Sequence, residues 1–241
     1  MMNKKILIII KSHDTDIVDY HGDTYRKIEE ITRQYLSNVS EVDFVFVKAN
    51  PSLKEERYHD SSKNIFWCKT EENYWEALKI KVLEAIKYFF YIEDKKYKHV
   101  FITNLSTFIN APALITEADN LNDMECATVV GKYSFGGVDY SFPSGAGVLY
   151  PEKLIRRLYE YQAEVDHSKY PDTDDIFFGK IIHELNVRMK KIDRVDILQP
   201  ITLDQVDKER LKNCSHIRIK VLQNREMDIN YHQSLSEFFY G

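Results

Sequence analysis

Five apolar residues in succession, Ile6 to Ile10, stand between Lys5 and Lys11. A short unbroken apolar run with charged ends predicts a strand buried on both faces. Tyr25, Ile28, Ile31 and Tyr35 then recur at helical spacing and predict a helix over 23–36. Residues 42–47 (VDFVFV) read as a second strand and 64–68 as a shorter third. Trp75, Leu78, Val82, Ile86 and Phe89 mark a long amphipathic helix. The next strand, 99–103 (HVFIT), runs into a polar break at Asn104. Such alternation implies a mostly parallel sheet with helices on its faces. In such sheets ligands bind outside the carboxyl ends of the strands, so chemistry is expected just after Ile10 and just after Ile102.

The second half is less regular. Residues 127–133 predict a strand, Gly136-Gly137 a loop, and Ser144-Gly145-Ala146-Gly147 a small-residue turn. Helices are predicted over 152–161 and 174–185, a late strand over 217–221, and an amphipathic helix in the last dozen residues. There is no repeat, low-complexity tract or linker, which predicts one domain over 1–241.

Composition narrows the function. With 44% hydrophobic residues the chain can build a real core. A net charge of −5 argues against a general nucleic-acid binder, which needs a basic face. Cys68, Cys126 and Cys214 lie far apart without CxxC spacing, so neither a zinc site nor a disulfide framework is indicated. Reduced thiols fit a cytoplasmic protein. The run from Ile6 to Ile10 is too short for a membrane span or signal segment, and no later stretch reaches spanning length. A soluble protein with no integral membrane segment is expected.

Five segments carry candidate chemistry. Lys11-Ser12-His13-Asp14 follows the first strand, where an α/β sheet would grip a nucleotide. No GxGxxG or GxxxxGK[ST] occurs, which disfavours a dinucleotide fold and a P-loop. Phe101 to Phe108 is an apolar strand ending in the spaced oxygens of Asn104 and Ser106, an arrangement suited to a metal on a diphosphate. Neutral oxygens are poor Mg²⁺ or Mn²⁺ ligands beside carboxylates. In Phe142 to Leu149, Gly145 and Gly147 would let backbone approach a ligand closely. Asp174-Asp175 opens an apolar helix ahead of Gly179; one of the two acids could simply cap that helix. In Cys214 to Lys220, Arg218 and Lys220 alternate on one strand face beyond His216 and could neutralise phosphate charge.

The order of these segments resembles that of GT-A glycosyltransferases, closest to the Fringe-like and β-1,3-transferase group, over nearly the whole chain. Asn104 and Ser106 stand where that group's DxD carboxylates would be, so the motif is degenerate. The resemblance implies a GT-A-like single α/β domain with a mostly parallel, mixed central sheet flanked by helices. A nucleotide-binding part would cover about 1–110 and an acceptor and catalytic part about 111–241. It implies a nucleotide-sugar donor, a carbohydrate hydroxyl acceptor, inverting transfer and an Mn²⁺ or Mg²⁺ ion. Asp175 would be the catalytic base with Asp174 beside it, and Lys11, Ser12 and His13 would lie near the nucleotide. Asn104, Ser106 and His216 would lie at the diphosphate and metal, Gly145 and Gly147 at the donor sugar, and Arg218 at phosphate. Two alternatives stand: a GT-A-like binding module without catalysis, and another nucleotide-dependent transferase such as a nucleotidyltransferase.

Overall fold

The computed structural model describes residues 5–13, 23–73, 76–135, 138–167, 173–222 and 224–241. Strand β1 (Ile6–Lys11) is buried along its whole length. It pairs in parallel with β2 (Val42–Ala49) on one side and β5 (His99–Asn104) on the other. Alternation decides what each side chain meets. Ile6, Ile8 and Ile10 pack under α1 (Asp23–Leu36) and α7 (Met227–Tyr240), against Ile28, Tyr35 and Leu235. Leu7 and Ile9 face the opposite layer of α2 (Glu76–Lys87), α4 (Glu152–Gln162) and α5 (Asp174–Glu184), meeting Val82, Ile86, Leu154 and Phe177. Burying each such side chain contributes about 1.5–3 kcal/mol.

The remaining strands extend this ribbon. On the β2 side lie β4 (Ile65–Cys68) and β3 (Arg57–Asp60); on the β5 side lie β8 (Val138–Pro151), β7 (Glu125–Phe135) and β9 (Arg188–Lys191). The sheet order is β3-β4-β2-β1-β5-β8-β7-β9, with β1 near the middle. Four of its seven pairings are parallel, and the hairpin β3/β4 with both partners of β8 are antiparallel. A second sheet joins β10 (Val195–Ile197), β11 (His216–Ile219) and β6 (Thr107–Ile109). Two further helices, α3 (Ala111–Asp119) and α6 (Lys208–Asn213), complete the fold. Among the described residues no helix is long and apolar enough to cross a membrane.

Several expectations are corrected. Ser144 to Gly147 is not a turn; it lies within β8, because Ile102 and Val148 pair and hold the segment in the sheet. The helix predicted as far as Phe89 leaves α-geometry at Lys87 and continues as a π-helical turn, Tyr88–Ile92. The late strand ends at Ile219, not Val221. Trp75, Gly136 and Gly137 lie outside the described residues.

Candidate active site

Strand order reverses at β1: β2 and β4 continue to one side, while the chain returns through α2 to place β5 on the other. The crevice at the carboxyl ends of β1 and β5 is therefore the topological switch point, where open α/β sheets bind ligands. Lys11 and Asn104 are register partners there, and the Leu105 N–H donates to the Lys11 carbonyl at 3.1 Å. Antiparallel β8 carries Gly145 and Ala146 to the same end. The hydroxyls of Thr103 and Thr107 both donate to the Ala146 carbonyl, at 2.7 and 3.0 Å. Elsewhere, a cavity of about 270 Å³ opens near the amino ends of β1 and β2, lined by Leu7, Asp43, His59 and Tyr97. Sheet topology favours the other end.

Helix α5 starts beside β8. Thr173 occupies the N-cap position in extended geometry, so neither Asp174 nor Asp175 is the cap. Asp174 instead reaches Lys11, with Oδ2 2.6 Å from Nζ, and the two side chains are 5% and 2% exposed. Burial pushes the Asp174 carboxyl up from the usual carboxylate range, and the Lys11 ammonium pulls it back. Removing one partner of such a pair costs about 3–5 kcal/mol, because the other charge is left buried and unpaired. Asp175 is half-buried and turns toward β8. The Gly145 N–H donates to its Oδ2 at 3.3 Å and the Thr173 hydroxyl donates to its Oδ1. A Cβ on Gly145 would sit 3.0 Å from Asp175 Oδ2 and 3.3 Å from Lys11 Nζ. Glycine here leaves a carboxylate and an ammonium flanking one point on the strand.

The end of β1 is gripped from both faces. On the α1 side, the Ser12 hydroxyl donates to Glu29, and Lys48 Nζ lies 2.8 Å from the same carboxylate. On the α2 side, Lys81 Nζ donates to the Ser12 carbonyl at 2.7 Å and to both Glu72 oxygens at 2.8 and 3.0 Å. Burial lowers the Lys81 pKa, with Glu72 opposing. His13 packs edge-on to Tyr25 at 4.7 Å. Lys48, Lys81, Glu29 and Glu72 were not singled out from sequence. Lys48 could have been, since it follows the apolar run of β2 at its carboxyl end, as Lys11 follows β1.

Strand β11 brings His216 beneath Gly147. The imidazole is fully buried, its Nδ1 3.0 Å from the Ser215 hydroxyl and its ring edge-on to Phe101 at 5.5 Å. A Cβ on Gly147 would lie 2.6 Å from His216 Nε2. Burial, aided by the charge of Arg194, holds the imidazole down to about 3, so it is neutral. Arg194, another residue missed in the sequence, forks onto Asp196 at 2.6 and 3.1 Å and donates to the Ser144 hydroxyl at 2.8 Å. Arg218 is half-buried, in register with Asp196 and Thr107, and its charge is felt by Lys220. The Ser106 carbonyl accepts from the Ile219 N–H at 2.7 Å, tying the end of β5 to the second sheet.

The structure thus brings together Lys11, Gly145, Asp174 and Asp175, with Asn104 beside Lys11. His216 and Gly147 meet in the adjoining core, while Arg218 stands on the second sheet. Asp14 and Asp172 lie outside the described residues. At the end of β5 an amide and a hydroxyl stand where a divalent ion needs carboxylates. Among the described residues no group of three His, Cys, Asp or Glu side chains could hold a metal ion. His216 Nε2 is buried, close to where a Cβ on Gly147 would stand. These donors do not fit Mg²⁺ or Mn²⁺.

No family model matches the chain, and no curated protein sequence does. Solved structures do match. A glycosyltransferase involved in the glycosylation of the major capsid of PBCV-1 aligns over 95% of this chain and 99% of its own, at 11% identity and a TM-score of 0.50. The galactosyltransferase LgtC, solved with donor and acceptor sugar analogs, aligns over 98% and 96%, at 11% identity and 0.52. The 4-diphosphocytidyl-2C-methyl-D-erythritol synthase from Anaerococcus prevotii aligns over 96% and 97%, at 14% identity and 0.54. At these identities the likeness is one of fold: a single GT-A-like α/β domain whose large mixed sheet is flanked by helices.

Proposed function

We propose that the chain is an inverting glycosyltransferase, moving a sugar from a nucleotide-diphosphate donor to a hydroxyl of a carbohydrate acceptor. The observation that carries this reading is the placement of Asp175. A half-buried carboxylate at a helix start is aimed over the backbone of Gly145, at the switch point of a GT-A-like sheet. In this reading residues from about 1–110 hold the nucleotide and residues from about 111–241 hold the acceptor and the base. Ser12 and His13 lie toward the nucleotide, Asn104 and Ser106 toward the diphosphate, and Gly145 and Gly147 under the donor sugar. Arg218 adds positive charge from the second sheet.

The chemistry follows from these roles. The acceptor O–H gives its proton to the Asp175 carboxylate as the oxygen attacks the anomeric carbon from the face away from the nucleotide. The bond from that carbon to the diphosphate oxygen breaks, and its electron pair leaves with the diphosphate. Positive side chains at the strand ends offset the charge that develops there. Negative side chains are favoured at a helix N-terminus, which suits a base placed on α5.

The test is Asp175→Asn, assayed with a panel of nucleotide sugars and simple glycoside acceptors. Release of nucleoside diphosphate coupled to acceptor glycosylation should fall by about 10²-fold or more, the size of a lost general base. Donor affinity should change little. Near-normal transfer in this variant would remove Asp175 from the mechanism. A second reading, nucleotidyl transfer, draws on the shared fold of the diphosphocytidyl synthase. Pyrophosphate release from a nucleoside triphosphate and a sugar phosphate, without nucleotide-sugar turnover, would establish it instead. Turnover of either kind would dismiss a purely binding role.

A further inference from the structure

We propose that Lys11 is the resident cation that offsets the donor's diphosphate, in place of a divalent ion, and that Asp174 parks it in the empty enzyme. The inference rests on the nucleotide-sugar reading and concerns the same crevice.

Five lysines are buried among the described residues, and three of them, Lys11, Lys48 and Lys81, lie in β1 or bond to groups at its end; their hydrogen bonding separates them. Lys81 spends three donor directions, one on the Ser12 carbonyl and two on Glu72. Lys48 is held by both oxygens of Glu29. Among the described residues Lys11 meets a single carboxylate oxygen, that of Asp174. An ammonium has three donors, so toward the described residues two are left for incoming oxygens. Lys11 is also the one of the three in register with Asn104, an amide rather than a carboxylate. Its Nζ and the Asp175 carboxylate flank the same point over Gly145. Both groups border one crevice, so a diphosphate oxygen bound on the Lys11 side would meet the cation while the acceptor oxygen approaches the anomeric carbon from the opposite side.

The ion pair itself argues for a use beyond stability. Two charges withdrawn from water gain little net stability from each other, and an apolar pair of the same size often does as well. A compact ammonium on a flexible stem can exchange one anionic partner for another. When phosphate oxygens arrive, Lys11 turns from Asp174 to them. No proton leaves Lys11; it serves as a fixed charge, the electron pair of the broken bond stays on the diphosphate, and the proton rests on Asp175.

Inorganic pyrophosphate is the probe, since it carries the diphosphate charge and no base. It is titrated calorimetrically in excess EDTA into wild type, Asp174→Asn and the neutral pair Lys11→Met/Asp174→Asn, with folding checked by circular dichroism. The neutral pair leaves neither charge of this ion pair unmatched, so it is expected to keep the fold. Wild type should bind without metal. Asp174→Asn should bind several-fold more tightly, because the competing carboxylate is gone. The double variant should lose at least about 10-fold, the factor that corresponds to one strong charge-assisted contact. A merely structural ion pair would give no gain in Asp174→Asn. Equal binding by all three proteins, no binding by wild type, or binding only when Mn²⁺ is supplied would each overturn the role of Lys11. Failure of the nucleotide-sugar reading looks different: no nucleotide sugar is turned over, with or without Mn²⁺.

Discussion

His216 and His232 are both withdrawn from solvent, one under Gly147 and the other edge-on to Phe108 at 6.1 Å. Burial holds each imidazole down to about 3, with Arg194 assisting at His216 and Arg225 at His232. An unfolded histidine titrates near 6.5, so the unfolded chain takes up these protons first. Their stabilising effect is complete above pH 6.5 and is lost as pH falls toward 3, at about 1.4 kcal/mol per pH unit for each ring. Asp228 acts in the opposite sense. Burial pushes its carboxyl up to about 6, against the pull of the Val221 N–H and Arg225, so the folded state takes up its proton first. Asp174, also raised by burial, adds to that opposing effect. Between pH 6.5 and 5 the histidines remove about 3 kcal/mol and Asp228 returns about 1, a net loss of about 2. Urea unfolding at the two pH values measures this, and His232→Leu should roughly halve the histidine contribution. Equal stability at both pH values would show that the rings are not held neutral.

At the scale of elements, β8 shows what a sequence reading catches and what it misses. The run Ser144 to Gly147 looks like a turn because small residues favour turns, yet both glycines lie inside a strand. Glycine within a strand marks close approach by another group. Here the groups are Asp175 and Lys11 at Gly145, and His216 and Phe101 at Gly147. Those partners come from distant segments, so the cause of the glycines is invisible locally. Gly147→Ala should cost about 1–3 kcal/mol, since its Cβ would fall 2.6 Å from one buried ring and 2.9 Å from another. Gly145→Ala should cost less, as its neighbours are side-chain ends at 3.0 and 3.3 Å. Denaturant midpoints for the two variants check the order; equal costs would contradict it. The long elements were legible: β1 by its apolar run, and α1 by a helical pattern matching its observed ends. Strands β6, β9 and β10 have only three or four residues, too few to show a period. Helix α3 did carry a signal, Asn110 as cap with Pro in the first turn, which went unread. The acid pair 174–175 stood out in the sequence as candidate chemistry, but its link to Lys11 spans 163 positions and needed the fold.

At the scale of the whole molecule, one sheet brings these parts together. Parallel β1 and β5 set a crevice at their carboxyl ends, antiparallel β8 lays small residues across it, and α5 delivers two acids to its rim. On the proposed function, this crevice would hold the diphosphate of a nucleotide sugar. The most direct measurement is a thermal-unfolding panel of nucleoside diphosphates and nucleotide sugars, run on wild type and on Gly145→Leu, whose side chain would fill the point between Asp175 and Lys11. A ligand at about 100 times its Kd stabilises the folded state by about 2.7 kcal/mol, or roughly 5–10 °C for a chain of this size. Such a shift is expected for at least one nucleotide in wild type, with its loss in Gly145→Leu. No shift with any nucleotide, or an equal shift in both proteins, would contradict that function.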